Sequence, residues 1–319
     1  MKLVFVYTLK CNAECEICCF NCTPHETEKI NYETVSRLIK EAAETKAFNE
    51  ISITGGEALL YRNEVESLIE LSNSYKFRTI LTTNAFWAKS IDAAYETLYK
   101  LKEIGLSLLS VSTDEFHNKF IPTEFVENLI IANEKVKIPI TFQSVVTRKT
   151  TYEHKLIKKY PNYTWRKGLC QPVGRAVKTI PSEDYIYSKY DGKCIYSDIL
   201  TIMPDGSCYP CCSQGVRLDN LKIGSVYEQS LQDLIKAKKN HKFTKIMIYR
   251  GPKWLIETGE AEGHYLSNPM KNYVSCCHLC HEISKDKVYL EKVKNVIEDT
   301  FFEISYSQLL KVSHCDKPY

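Results

Sequence analysis

The sequence predicts an α/β fold in which parallel strands alternate with helices, as a barrel or an open sheet, with a smaller second domain after it. Three observations carry this. Short β-branched and aromatic runs alternate with helix-period segments from residue 2 to about residue 168. Each run ends in polar punctuation: a cysteine loop, then "TGGE" (54–57), "TTNAFW" (82–87) and "SVSTDEFH" (110–117), with "TFQS" (141–144) inside the fifth run. The rhythm then breaks after about residue 190. Alternation at this spacing implies right-handed crossovers, and such folds gather chemistry at the C-terminal ends of their strands.

"KLVFVYT" (2–8) reads as the first strand and runs straight into the cysteine loop. A helix follows at 32–46, opened by Asn31, with Val35, Leu38, Ile39 and Ala42 on one face. Strands at 49–54, 78–83, 107–112 and 138–146 alternate with helices at 63–74, 89–104 and 122–135, and a sixth strand is expected at 163–168. Beyond 190, "CIYSDILTIMPDGSCYPCC" reads as two short strands around the turn "PDG". The stretch 226–249 is helical and basic at "KAKKNHK" (236–242), a run expected to be a solvated face, and 283–312 is helical. The expected domains are 1–190 and 191–319. Trp87, Trp165 and Trp254 are expected in the core.

Composition excludes several classes. The 319 residues carry Lys+Arg 42 against Asp+Glu 39, a net charge of +3, which gives no general attraction to nucleic acid. No apolar run suggests a membrane span, and "MKLVFVYTLKC" is too short and lacks the cleavage site of a signal peptide. The expectation is a cytoplasmic protein with no nucleic-acid or membrane partner.

In a reducing compartment, fourteen cysteines point to metal or redox chemistry rather than to disulfides. Cys11, Cys15, Cys18, Cys19 and Cys22 open the chain; Cys194, Cys208, Cys211, Cys212, Cys276, Cys277 and Cys280 fall near its end. Cys170 and Cys315 stand apart and read as buried small hydrophobes. The spacing Cys11-x3-Cys15-x2-Cys18 can wrap one corner of an iron–sulfur cube and leave the fourth iron open to a substrate. A zinc site completed by Cys19 or Cys22 is the alternative. The glycines of "TGGE" let backbone approach a ligand closely, and Glu57 adds a carboxylate that can receive an amino group.

The Cx3Cx2C loop after the first strand, with GGE after the second, resembles the radical S-adenosylmethionine (SAM) superfamily. The resemblance implies a partial (β/α)6 barrel and a [4Fe–4S] cluster on Cys11, Cys15 and Cys18, whose open iron chelates SAM. It implies that Gly55, Gly56 and Glu57 hold the SAM amino group, and that Asn84, Ser112 and Gln143 make further contacts. The residue before the third cysteine, often aromatic in that family, is Ile17 here. Asp114, Glu115 and His117 sit at a strand end, where they would face SAM or the peptide, or fix the loop. The pattern assigns no role to Cys19, Cys22, Cys208 or Cys276.

Cys194, Cys211 and Cys277-x2-Cys280 can supply four ligands from three segments, enough for one closed auxiliary cluster, with a zinc ribbon as the alternative. The arrangement resembles the SPASM or twitch domains of radical SAM enzymes that modify peptides, and "QPVGRA" (171–176) is similar to a segment found at that junction. "CNAECEICCFNC", "STDEFH" and "C-x3-D … YPCC" together resemble the radical SAM epimerases that place D-residues in ribosomally made peptides. That resemblance implies Cys212 as hydrogen-atom donor, Asp198 as an active-site carboxylate and an auxiliary [4Fe–4S] cluster. It also implies a precursor-peptide substrate and an external electron donor of flavodoxin or ferredoxin type. A peptide-crosslinking radical enzyme and a zinc-stapled binding protein are the competing readings.

Overall fold

Successive side chains of a strand point to opposite faces of its sheet, and this alternation lays out the protein. The computed structural model describes residues 1–150, 155–189, 191–213 and 215–315, with side chains through 308; the Cys315 thiol lies outside the described residues. In β1 (Lys2–Val6), Leu3 and Phe5 join Tyr7 in a large cluster beneath the helices, while Val6 belongs to a second cluster. The same division sends Ile51 and Ile53 of β2 (Glu50–Thr54) outward, with Leu81 of β3 (Arg78–Thr83) and Leu109 of β4 (Leu108–Ser112). Phe142 of β5 (Ile140–Val146) points the same way and stacks on Trp165 of β6 (Thr164–Leu169).

Helices cover that outer face. α1 (Tyr32–Thr45) starts where the Asn31 side chain accepts from the Glu33 amide at 2.8 Å, and it buries Val35, Leu38, Ile39 and Ala42. α2 (Arg62–Ser74), α3 (Ile91–Glu103), the short α4 (Glu115–Asn118), α5 (Thr123–Val136) and α6 (Lys155–Lys159) continue the crossovers. Six parallel strands result, as the sequence predicts.

The C-terminal part does not stand off as a separate layer. After α7 (Ala176–Thr179), β7 (Ile199–Ile202) pairs in parallel with β1, Lys2 opposite Ile199 and Phe5 opposite Ile202. β8 (Ser207–Tyr209) and β9 (Gly224–Ser225) add antiparallel, giving one sheet in the order β6-β5-β4-β3-β2-β1-β7-β8-β9. The β7–β8 turn is the expected "PDG", with Gly206 at φ +78°. Helices α8 (Leu231–Asn240), α9 (Lys242–Tyr249), α10 (Pro252–Ala261), α11 (Cys276–Lys285), α12 (Lys287–Lys292) and α13 (Lys294–Cys315) complete the chain.

Two expectations change. The basic run 236–242 is not wholly a solvated face, because Lys238 is buried and donates to the Pro210 carbonyl at 2.7 Å. Trp87, Trp165 and Trp254 are half-buried, packed against the two cores rather than enclosed by them. Among the described residues, no helix is long and apolar enough to cross a membrane.

Candidate active site

The cysteine loop leaves the end of β1 and is tied back by backbone. The Cys11 amide donates to the Thr23 carbonyl at 3.0 Å and the Cys18 amide to the Cys15 carbonyl at 3.1 Å. The Cys22 amide donates to Cys18 Sγ at 3.3 Å, the kind of outer hydrogen bond that orients a thiolate ligand. Gly55 and Gly56 let the end of β2 press against this strand: the Gly56 amide donates to the Thr8 carbonyl at 2.7 Å and the Glu57 amide to the Lys10 carbonyl at 2.9 Å. A Cβ on Gly56 would stand 2.3 Å from the Lys10 oxygen, and one on Gly55, whose φ is +156°, 2.5 Å from the Thr8 oxygen. The two glycines therefore permit a close approach of chain to chain as well as to a ligand.

A cavity of about 220 Å³ opens above the strand ends. Cys11, Cys15 and Cys18 line it, with Gly55, Gly56 and Ile17; Asn84 and Ser112 face it from β3 and β4. Gln143 is not among the lining residues; Val145, two positions on, is. Glu57 is held by the protein itself. Its side chain is fully buried and its carboxylate is taken up by Thr83 Oγ1 (3.0 Å), the Asn84 amide (2.7 Å) and the Leu59 amide (3.1 Å). Burial pushes it up to about 7 despite those bonds. Sequence pattern could not reveal this, because the donors come from the following strand.

The three thiols share one neighbourhood. Burial pushes Cys11 and Cys15 up to about 12, and each is raised further by the Cys18 charge. A hydrogen bond from Cys22 draws Cys18 down to about 6, with Arg175 acting in the same direction. Three thiols lining one open cavity, with backbone donation to one of the sulfurs, fit a cluster that leaves a face open to SAM.

His117 also lines the cavity. Asp114 fixes it: Oδ1 lies 2.8 Å from His117 Nδ1 and accepts from the Phe116 and His117 amides, while Oδ2 accepts from the Val145 amide at 2.9 Å. Burial disfavours the imidazolium, but Asp114 more than offsets it, and His117 sits above its ordinary value. Of the two roles left open by sequence, Asp114 fixes the loop and His117 faces the cavity.

A residue that the motifs did not single out holds the loop from behind. Arg175 donates to the carbonyls of Cys15 (2.7 Å) and Cys22 (2.8 Å), and its amide donates to the Cys18 carbonyl at 3.0 Å. Gly174, at φ +59°, lies so close that a Cβ would stand 2.5 Å from the Cys18 and Cys19 oxygens. Gln171, four residues earlier, accepts from the Ser275 hydroxyl at 2.9 Å, and Ser275 caps α11.

α11 presents Cys277 and Cys280 one turn apart, both half-buried, whereas Cys276 is buried in the core. Cys194 is held by the Met247 carbonyl and accepts at Sγ from the Tyr196 amide at 3.4 Å. Burial raises Cys211 to about 12, and the charges of Cys194, Cys212 and Cys277 raise it further. Burial raises Cys280, and the charges of Cys211, Cys194, Cys276 and Cys277 act in the same direction. Among the described residues, no three His, Cys, Asp or Glu side chains converge as one metal ion requires. Cys208 points the other way and is wholly buried beneath the helices, as is Cys22 within the second core.

Cys212 lies at the opposite end of β1 from the SAM-side thiols. β8 runs antiparallel to β7 with Tyr209 opposite Thr201, which carries the chain toward the Lys2 end of β1, where Cys212 follows; burial raises the Cys212 thiol, and the Lys2 charge acts the other way. Burial raises the Cys19 thiol, and the charges of Cys18 and Cys212 act in the same direction. Asp198 is exposed just before β7, and its carbonyl accepts from the Lys2 amide at 2.7 Å.

Residues 5–158 match the family model of the Radical SAM superfamily, and residues 194–254 that of the iron–sulfur cluster-binding domain SPASM. The chain therefore carries a Radical SAM domain followed by a SPASM domain, and these domains imply SAM, a [4Fe–4S] cluster and auxiliary iron–sulfur chemistry as cofactors. Among curated proteins it is similar to "Putative peptide biosynthesis protein YydG" of Bacillus subtilis (strain 168), 26% identical over 313 residues that cover 90% of this chain and 95% of that one. Among solved structures, "Native anSMEcpe with bound AdoMet and Cp18Cys peptide" shares the fold at TM-score 0.60 and 16% identity, covering 95% of this chain and 99% of that one. "Crystal structure of BtrN in complex with AdoMet and 2-DOIA" does so at TM-score 0.52 and 16% identity, covering 77% and 86%. The α/β barrel-type fold expected from sequence is thereby established.

Proposed function

We propose that the protein is a peptide epimerase that converts L- to D-residues in a ribosomally made precursor peptide, with residues 1–190 as the SAM barrel and 191–319 as a domain holding one auxiliary cluster. The observation that carries this reading is the course of β8, which takes the chain from Tyr209 toward the Lys2 end of β1, where Cys212 follows, while the cysteine-lined cavity lies at the other end of that strand. β1 has five residues, about 13 Å from first to last at roughly 3.3 Å per residue, which sets the scale of the separation a peptide segment would bridge. The similarity to a peptide-biosynthesis protein supports the substrate class.

SAM bound at Cys11, Cys15 and Cys18 supplies a radical able to take a hydrogen atom from a Cα. Inversion needs that hydrogen to leave one face of the carbon and another to arrive on the opposite face. Cys212 provides the second face. Burial keeps its thiol above the ordinary range, so at neutral pH the sulfur holds the hydrogen it must give. After donation, the sulfur needs one electron and one proton to become a thiol again; Cys194, Cys211, Cys277 and Cys280 would hold the auxiliary cluster, which could relay that electron from an external donor. Asp198 orients the peptide at that end, and Asn84, Ser112, Gly55 and Gly56 hold SAM at the other.

Turnover in D2O tests the reading. The exchangeable thiol becomes S–D, so each inverted residue gains about one mass unit and is recovered as the D-isomer. Cys212→Ala should retain SAM cleavage and lose D-residue formation. A product lighter by about two mass units, the loss of two hydrogens that accompanies oxidation of the radical, would replace this reading with crosslinking.

A further inference from the structure

The sheet has two edges, and they are built differently. At one, β9 has two residues. At the other, β6 runs for six residues and, among the described residues, pairs with β5 alone. Thr164, Arg166, Lys167 and Gly168 of this strand are exposed. The Cys170 amide donates to the Val146 carbonyl at 2.9 Å. In a parallel ladder of this register, Gly168 turns its backbone groups toward β5, and Lys167 and Leu169 turn theirs away. The Leu169 carbonyl accepts from Gln171 Nε2 at 3.4 Å. An open strand of this length is a template for a further strand, and proteins ordinarily shorten, cover or bend such edges.

Charge selects which strand fits this edge. From 155 to 169 the chain carries Lys155, Lys158, Lys159, Arg166 and Lys167 and no Asp or Glu; Glu127 of α5 answers Lys159. A second copy of β6 would set like charges against each other, whereas a strand bearing Asp or Glu would set opposite ones together. Register then links the edge to the cavity. Gly168 lies opposite Val145, and Val145 lines the cavity with Cys11, Cys15 and Cys18. Trp165 stacks on Phe142 on the helix-covered face, so alternation turns position 168 to the inner face. A Cβ there would meet only the Ser144 oxygen, at 4.0 Å, so the fold has no steric need for glycine at this place. Glycine inside a strand often marks the approach of another backbone. Here it leaves open the side on which a chain passing from the edge to the cavity would turn.

We propose that the free edge of β6 pairs with an extended acidic segment of the peptide substrate, adding it to the sheet as a further strand. Backbone hydrogen bonds to the Lys167 amide and carbonyl and to the Leu169 amide supply affinity, while Arg166 and Lys167, on opposite faces, read acidic side chains. Neighbouring strands lie about 4.8 Å apart, so the docked segment runs about 10 Å from β5 and Val145. A chain extends by at most about 3.5 Å per residue, so the residue delivered to SAM is at least about three positions along the peptide from the docked segment. Recognition and reaction thus fall on separate parts of the substrate. The assignment rests on the peptide-substrate reading for the identity of its ligand, and it adds where and how that peptide is held.

The test measures binding of end-blocked synthetic peptides, as long as β6, to the reconstituted holoenzyme with SAM under anaerobic conditions. One alternates Glu with Val and one alternates Lys with Val. Two more are the Glu peptide N-methylated at every second amide, which keeps one bonding edge, or at every amide, which keeps none. The Glu peptide should bind at least about tenfold tighter than the Lys peptide. Half methylation should leave binding in place and full methylation should abolish it. Lys167→Pro removes an outward amide without touching the β5 ladder, so it should lose the Glu peptide while SAM affinity stays unchanged. Lys167→Gln keeps that amide and should retain most of the binding. If Lys167→Pro also loses SAM, the methylated peptides decide. Failure of the Glu peptide to bind, equal binding of the Glu and Lys peptides, binding that survives full methylation, or full affinity in a folded Lys167→Pro overturns the proposal. Self-association that Lys167→Pro abolishes, with no peptide bound, gives the edge to a second copy and overturns it as well. D-residue formation is scored separately with the precursor peptide. Acid-selective edge binding without inversion removes the epimerase reading alone, and inversion at unchanged KM in Lys167→Pro removes the docking edge alone.

Discussion

Arg175 Nη1 donates to the Cys15 carbonyl oxygen at 2.7 Å, joining residues 160 positions apart. The same guanidinium reaches the Cys22 carbonyl, so one side chain spans the cysteine loop from its middle to its end. Hydrogen bonds from a charged donor contribute about 1.5–3 kcal/mol each, and this side chain is mostly buried, at 14% exposure. Arg175→Ala should lower the unfolding free energy by about 3 kcal/mol and release iron from the SAM-side cluster faster on chelator challenge. Arg175→Lys should recover part of the stability, since one ammonium cannot reproduce both arms of the fork. Unchanged iron retention in Arg175→Ala would show that the loop holds its shape unaided.

The two thiol sets should titrate separately in iron content. Replacing Cys11, Cys15 and Cys18 with Ala should abolish reductive formation of 5′-deoxyadenosine. Replacing Cys277 and Cys280 should remove close to half of the iron from a protein that otherwise holds about eight, while some SAM cleavage persists. Iron content that does not change in the second variant would rule out that ligand set.

Gly56 admits no side chain without backbone movement. A Cβ there would meet the Lys10 oxygen at 2.3 Å and the Cys11 Cβ at 3.0 Å, neither of which is a flexible chain end. Gly56→Ala should therefore weaken SAM binding by more than tenfold (about 1.4 kcal/mol), read by titration calorimetry on the reconstituted protein. Full affinity would mean that the β2 end and the loop move together.

The Asp114–His117 pair gives a pH dependence with a defined sign. Asp114 lies below its ordinary 3.8, held there against the cost of burial mainly by His117. That contribution is present above 3.8 and is lost as pH falls through the depressed value. His117 lies above its ordinary 6.5, so its contribution is fully present below 6.5 and is lost as pH rises through the raised value. The stability difference between wild type and His117→Gln should be largest between these limits and should shrink toward pH 9, as measured by urea unfolding of the cluster-free protein. A difference that grows with pH would contradict the assignment.

Much of the fold could be read in advance because its signals are local. The apolar face of α1 and its Asn31 cap lie within one short segment, and the strand ends were marked by their own polar residues. Pairing of β7 with β1 has no such mark: it joins residues nearly 200 apart in sequence and depends on where the chain returns. The cysteine spacing identified the cavity for the same local reason. Arg175 and Lys238 escaped notice because a cation that binds backbone carbonyls has the same sequence signature as one that faces water. Glu57 turned inward because Thr83 and Asn84, on another strand, supply the donors it accepts.

Gln171 reaches the cap of α11 while Arg175 reaches the cysteine loop, so a stretch of five consecutive residues is anchored at both ends to different thiol neighbourhoods. Its covalent length acts as a spacer. A single-residue insertion or deletion between these anchors would have to strain one attachment or release it, whereas ordinary surface loops absorb such changes at little cost. Relatives that keep both thiol sets at the same separation are accordingly expected to hold the length of this stretch fixed while its intervening side chains vary, and tolerance to insertion there, scanned residue by residue, would map how far the spacing of the two thiol neighbourhoods depends on this tether.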